Sequence, residues 1–310
     1  MAPKFLITGA TGAQGGATAH ILLSQNATVH ALVRDKTSPA SQSLQKAGAI
    51  LFQGDFDDTT AIKAAITGAS GIFLNPFPTV DPELSVRQAQ NFIDAAIASK
   101  DVKTIVLSTA FFTASRDTIW GSTDPHRGLQ HYYNQKIAIE GAVKSSGLQN
   151  YTILRPGFLM QNYLLPQAAF LTPELSSEGM LAHITDKGRK MPHLDAEDVG
   201  KFAAAALLNP GKFRGEEIEL GNENLTVEEV AATMKKVSGK DVGIRKRSEE
   251  EAKRVWNQNP TLRFQWLANE ADLSIDGPAL GKKYGIPLNS FEEFLTRERE
   301  VLIESIAKEK

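Results

Sequence analysis

Short apolar runs alternate along the chain with longer stretches in which apolar residues recur every three or four positions. Lys4 to Thr8, Thr28 to Val33, Ala49 to Gln53, Gly71 to Asn75, Thr104 to Ser108 and Tyr151 to Arg155 read as strands. Between them, Ala13 to Ser24, Thr59 to Thr67, Pro82 to Ser99 and Tyr132 to Ser146 carry helical periodicity. Strands alternating with helices predict right-handed crossovers and a parallel sheet covered on both faces, an α/β architecture.

Pro156-Gly157 interrupts this regularity. Beyond it come a stretch punctuated by Pro166 and Pro173, helices over Ala196–Leu208 and Thr226–Val237, a strand at Glu216–Leu220 and a charged, helix-like segment at Arg245–Gln258. The pattern predicts a sheet domain over residues 1–155, with later segments at about 180–222 returning to it. A smaller, more helical lobe over 156–310 follows.

Composition narrows the function classes. A chain of 310 residues supports about two domains and needs no disulfide staples. With 34 basic and 36 acidic residues the net charge is −2, so bulk positive charge does not grip a nucleic acid, and no direct nucleic-acid partner is expected. Cysteine is absent, which excludes thiolate nucleophiles and Cys-ligated metals. The six histidines lack metal-site spacing, so no metal is expected. Phe5-Leu6-Ile7 is too short for a signal-peptide core, and the longest apolar run, Phe202 to Leu208, falls far below the roughly 20 residues of a membrane span. A cytoplasmic protein with no membrane partner is expected.

The sharpest chemical signal is Thr8-Gly9-Ala10-Thr11-Gly12-Ala13-Gln14-Gly15-Gly16, which follows the first strand and opens the first helix. Gly9 suits the tight turn, Gly12 the close approach of backbone to a pyrophosphate, and Gly15 the packing of helix on strand. The helix N-terminus offers N–H groups and a positive dipole end to phosphates. Thr11 and Gln14 join the three glycines as expected dinucleotide contacts. The second strand ends in Arg34, whose guanidinium suits a 2′-phosphate and so favours NADP(H), with Lys36 assisting. Asp35 remains an alternative, as the acid that would bind ribose hydroxyls. Asp55 and Asn75, after the third and fourth strands, sit at carboxyl ends where ligands bind in open α/β sheets; Asp55 suits an adenine amino group.

These motifs, with Leu32-Val33-Arg34-Asp35, Gln53-Gly54-Asp55, Thr152 to Gly157 and Asp195 to Gly200, resemble those of the NmrA-like group of atypical short-chain dehydrogenases/reductases. The resemblance spans about residues 4–220. It implies a doubly wound parallel Rossmann sheet that binds NADP(H), and a C-terminal substrate lobe that closes over the nicotinamide. The group contains both reductases and catalytically silent redox sensors.

Tyr132 and Lys136 lie four residues apart and share a helix face. Hydride reduction of a carbonyl needs a proton donor. A tyrosine supplies one when a nearby cation lowers its pKa, and an ammonium also holds the nicotinamide ribose. This resembles the tyrosine–lysine pairing of short-chain dehydrogenases. It also resembles isoflavone- and pinoresinol-type reductases, which carry the lysine alone. Thr109 is the nearest match to the hydroxyl that polarises the carbonyl, with Ala110 in the usual serine slot. His126 and His131 flank the pair as candidate proton relays. Pro156 and Phe158 are expected beside the nicotinamide. Phe111, Phe112, Trp120, Met160, Tyr163, Phe170 and Met180 are candidates for an apolar pocket, and Trp256 and Trp266 for a lid.

The expected function is an NADPH-dependent reductase of a carbonyl or conjugated double bond in a small hydrophobic molecule, with Lys136 and Tyr132 assisting protonation. The alternative is a non-enzymatic NADP(H) sensor acting through a protein partner, for which a nuclear location is open.

Overall fold

The computed structural model describes residues 2–77, 79, 81–115 and 127–307. In chain order its elements are β1 (Lys4–Ile7), α1 (Ala13–Ser24), β2 (Thr28–Val33), α2 (Pro39–Lys46), β3 (Ile50–Gln53), α3 (Thr59–Ile66), β4 (Gly71–Leu74), α4 (Pro82–Ser99), β5 (Thr104–Ser108), α5 (Arg127–Lys144) and β6 (Asn150–Pro156). There follow β7 (Phe158–Leu159), α6 (Ala168–Leu171), α7 (Pro173–Glu178), β8 (Met180–His183), β9 (Met191–Leu194), α8 (Ala196–Leu208), β10 (Glu216–Leu220), β11 (Glu223–Leu225), α9 (Val227–Ser238) and β12 (Gly243–Lys246). The chain ends in α10 (Glu249–Gln258), α11 (Phe264–Glu270), α12 (Gly277–Tyr284), α13 (Phe291–Arg297) and α14 (Arg299–Ser305). No helix among the described residues is long and apolar enough to cross a membrane.

Two compact units emerge. The first comprises Met1–Ala114, His131–Pro156 and Ala196–Glu219; the second comprises Gly157–Asp195, Leu220–Lys310 and the described part of Ser115–Gln130. Residues 180–195 stay with the second unit, and of the later chain Ala196–Glu219 joins the first. The reason is pairing. β8 bonds to β12 and β9 to β7 and β11, all outside the large sheet.

The first unit is built on a seven-stranded sheet in the order β10-β6-β5-β4-β1-β2-β3. β1 pairs in parallel with β2 and β4, β2 with β3, and β5 with both β4 and β6. β4 and β5 are buried along their whole length because helices cover both faces. On one face, Leu6, Leu32, Leu74, Leu107 and Ile153 pack against Ile62, Phe92 and Ile139 from α3, α4 and α5. On α8, a side chain at Gly200 would come within 2.7 Å of the Ala17 Cβ, so the missing side chain lets α8 seat directly on α1. The strand order reverses between β1 and β4, which opens a crevice at their carboxyl ends.

The second unit carries a three-stranded sheet, β11-β9-β7, and the pair β12-β8. Met160, Leu164, Leu181, Met234, Phe291 and Phe294 form its core with neighbours from α7, α9 and α14.

Candidate functional site

The β1–α1 turn is locked by its glycines. Gly9 adopts φ +60°, in the left-handed region where side chains are disfavoured. A Cβ on Gly15 would sit 2.3 Å from the Gly9 carbonyl oxygen, so the helix approaches the turn as closely as backbone allows. The Gly12 N–H donates to Gly9 O at 2.9 Å, and Gly16 N–H to Gly12 O at 2.8 Å. Gly12 is the N-cap and no side chain caps α1. Thr11, Gly12 and Ala13 are exposed. The first turn of α1 thus keeps backbone donors and the positive dipole end facing outward, with no acidic side chain against them.

Thr8 and Asn75 stitch the crevice between β1 and β4. Thr8 donates from Oγ1 to Phe73 O at 3.0 Å and accepts from Asn75 N–H at 2.8 Å. The Asn75 amide nitrogen lies 3.8 Å from where a Cβ on Gly9 would stand, which puts the carboxamide beside the turn. Gln14 reaches across to β5, where the Ser108 hydroxyl donates to its Oε1 at 2.7 Å.

At the end of β2, Arg34 and Lys36 are exposed. Asp35 turns its carboxylate into its own loop, accepting from Thr37 N–H at 2.7 Å and Thr37 Oγ1 at 2.6 Å. These two bonds hold the Asp35 carboxyl below its ordinary pKa. Asp55 likewise accepts from the Asp57 and Asp58 N–H groups, at 2.9 and 3.0 Å, through one oxygen.

Lys136 is buried on α5, and its ammonium donates to Pro76 O at 3.2 Å. The neighbouring Gln135 donates to Thr79 O at 3.0 Å and accepts from Ser85 at 2.9 Å. α5 therefore fixes the loop that follows β4. Burial brings the Lys136 pKa down to about 8, against the pull of Glu140 one turn along. Its nitrogen sits 5.5 Å over the centroid of the Tyr132 ring. The cation thus meets the ring face, and burial raises the Tyr132 hydroxyl pKa rather than lowering it. The adjacent Tyr133 is fully buried and donates to Phe111 O at 3.1 Å.

Thr109 is committed elsewhere. Its hydroxyl donates to Glu140 Oε1 at 2.7 Å. The same carboxylate takes Arg155 through Nε at 3.0 Å and Nη2 at 2.6 Å. Arg155 also pairs with Glu217 and, at 3.4 Å, with Glu219, while Lys144 holds Glu217 at 2.7 Å. The sequence reading did not single out this buried network. Two periodicities signal it: Lys136, Glu140 and Lys144 repeat at four on one helix, and Glu217 and Glu219 repeat at two on one strand.

His131 is exposed, whereas His126 and Trp120 lie outside the described residues. Pro156 ends β6 in the first unit, and Phe158 lies in the second, 5.2 Å from Tyr163 and 5.5 Å from His193 by ring centroids. Of the expected pocket residues, Met160 is fully buried core, while Phe170 is 74% exposed.

The NmrA-like family profile matches residues 1–269. An NmrA-like family domain-containing oxidoreductase of Penicillium ochrochloron is 29% identical over 252 residues, covering 76% of this chain and 72% of that protein. The NAD(P)H azoreductase of Xenophilus azovorans is 27% identical over 237 residues, covering 76% of this chain and 74% of that protein. Among solved structures, an NADPH-dependent quinone oxidoreductase of Escherichia coli complexed with NADPH aligns with a TM-score of 0.72 at 24% identity, covering 95% of this chain and 99% of that chain. The chain, with its glycine turn, parallel sheet and family match over residues 1–269, belongs to the NmrA-like family.

Proposed function

We propose that the protein is an NADPH-dependent reductase acting on a carbonyl or conjugated double bond of a small hydrophobic molecule. One observation carries the reading: the first turn of α1 is uncapped and exposed, and an exposed arginine ends the adjoining strand. That donor set fits a dinucleotide with an extra phosphate. Gly12, Thr11 and Gln14 would hold the diphosphate, Arg34 the 2′-phosphate, Asp55 the adenine edge, and Asn75 and Pro156 the nicotinamide end. The relatives support the same reading, since their names are those of oxidoreductases and of an NAD(P)H azoreductase.

Bound NADPH supplies a hydride to an electrophilic carbon. The chain's own task is to hold a proton for the atom that gains negative charge. Lys136 is better matched to it than Tyr132, because a pKa of about 8 leaves the ammonium protonated at neutral pH yet able to give the proton up. Its bond to Pro76 O fixes where Nζ stands.

NADPH oxidation screened across aldehydes, quinones and enones tests the proposal. Turnover with one class, lost in Lys136→Ala, is the expected result. Silence across the panel in a protein that still binds NADPH overturns it. One observation favours the second reading, an NADP(H) sensor acting through a protein partner. The Thr109 hydroxyl is tied to Glu140, so the usual carbonyl-polarising group is engaged within the fold.

A further inference from the structure

The second unit holds a cavity of about 70 Å³ whose wall is mostly apolar. Phe158, Tyr163, Leu181, His193 and Gln265 line it, with the exposed Arg189 among the lining residues. Three of these are rings packed on one another: Phe158 lies 5.2 Å from Tyr163, and Tyr163 stacks on His193 at 5.7 Å.

Three polar side chains of this wall, His193, Tyr163 and Gln265, can be assigned. His193 Nδ1 lies 2.7 Å from Met191 O, and a carbonyl only accepts, so Nδ1 carries the hydrogen and Nε2 is bare. The Tyr163 hydroxyl, 3.0 Å from Nε2, therefore donates to it and keeps its own lone pairs. Gln265 brings a carboxamide oxygen that is buried and has no hydrogen-bond partner. A buried acceptor left unmet is costly, and a ligand donor relieves that cost. Burial also keeps both ring groups uncharged near neutrality, with the Tyr163 hydroxyl pushed up and His193 down to about 4. The aromatic wall thus offers acceptors and no spare proton. At about 70 Å³ it has roughly half the ~150 Å³ that accommodates benzene, so it encloses one edge of a ring.

We propose that this cavity binds a neutral aromatic molecule that inserts a hydroxyl- or N–H-bearing edge, with Gln265 accepting the hydrogen bond. Identifying that molecule with the reductase's substrate rests on the function proposed above; the binding itself does not.

The test uses the full chain without coenzyme and two probes of one shape, phenol and toluene, titrated by NMR chemical shift. Phenol is expected to bind about three- to tenfold more tightly than toluene. Gln265→Met, which conserves volume, is expected to erase that margin and leave toluene affinity unchanged. Equal affinities in the wild type, no binding of either probe, or a phenol margin that survives in Gln265→Met overturns the inference. The wild-type ratio needs no variant to fold. Phenol discrimination in a protein that turns over no substrate sustains this inference and sinks only the reductase reading.

Discussion

Glu219 accepts the backbone N–H of Phe112 at 3.0 Å while Phe112 holds a φ of +67°. A phenylalanine in the left-handed region is strained, and such strain persists only where surroundings impose it. Here the surroundings are a carboxylate that is itself held by Arg155 at 3.4 Å. The loop after β5 is pinned further by Phe111 N–H to Pro156 O at 3.0 Å and by Tyr133. Glu219→Ala is expected to destabilise the protein by about 1–3 kcal/mol, because it strips an acceptor from a backbone donor and one partner from a buried guanidinium. Glu219→Gln keeps the acceptor and is expected to lose less. Urea unfolding of the two variants checks the order, and equal losses would count against the Phe112 contact.

In the proposed site, Arg34 would set coenzyme preference. NADPH is expected to raise the melting temperature more than NADH at equal concentration, since a ligand bound only by the folded chain stabilises by RT ln(1 + [L]/Kd). Arg34→Ala is expected to lower NADPH affinity about tenfold or more while sparing NADH. A variant that weakens both alike would remove the guanidinium from phosphate recognition.

Lys136 leaves a signature in alkali. In the folded protein it sheds its proton near pH 8, whereas the unfolded chain keeps it to about the ordinary 10.5. Between those values the unfolded state binds more protons, so stability from this group rises with pH, by about 3 kcal/mol in total. Lys136→Met is expected to flatten that rise and to be at least as stable as the wild type at neutral pH, while losing turnover. Unfolding curves taken from about pH 7 to about pH 10 read both quantities.

His193 has a slope of the same sign, set at acid pH instead of in alkali. Burial lowers its pKa from 6.5 to about 4, against the pull of Met191 O and Glu229. As pH falls through that window the unfolded chain takes up a proton that the folded chain refuses. Stability is full above pH 6.5 and declines by about 3 kcal/mol toward pH 4. His193→Gln keeps an acceptor for Tyr163 and is expected to remove this part of the acid slope, read as the difference between the two unfolding series.

Much of the first unit was legible because its signals are local. The β1–α1 turn is written in consecutive residues, and buried strands such as Thr104–Ser108 announce themselves as apolar runs. α2 escaped because its sequence, PASQSLQK, buries only Ser41 and Leu44 and owes its start to the Ser38 cap and a proline. β8 and β9 escaped because four residues each, one of them Pro192, carry too little periodicity. The fate of Thr109 was beyond local reading: its partner Glu140 is 31 positions away and meets it only once α5 packs on the sheet.

The three-part composition of the first unit governs how the protein is made and dissected. β10, drawn from beyond Asp195, lies next to β6 at the border of the sheet. During synthesis the outer rim of β6 stays bare until that late strand leaves the ribosome, and bare strand rims template aggregation. A gene fragment ending at residue 195 is therefore expected to give an incomplete, sticky product, and excising the sheet-bearing unit requires splicing Pro156 to Ala196 rather than a stop codon.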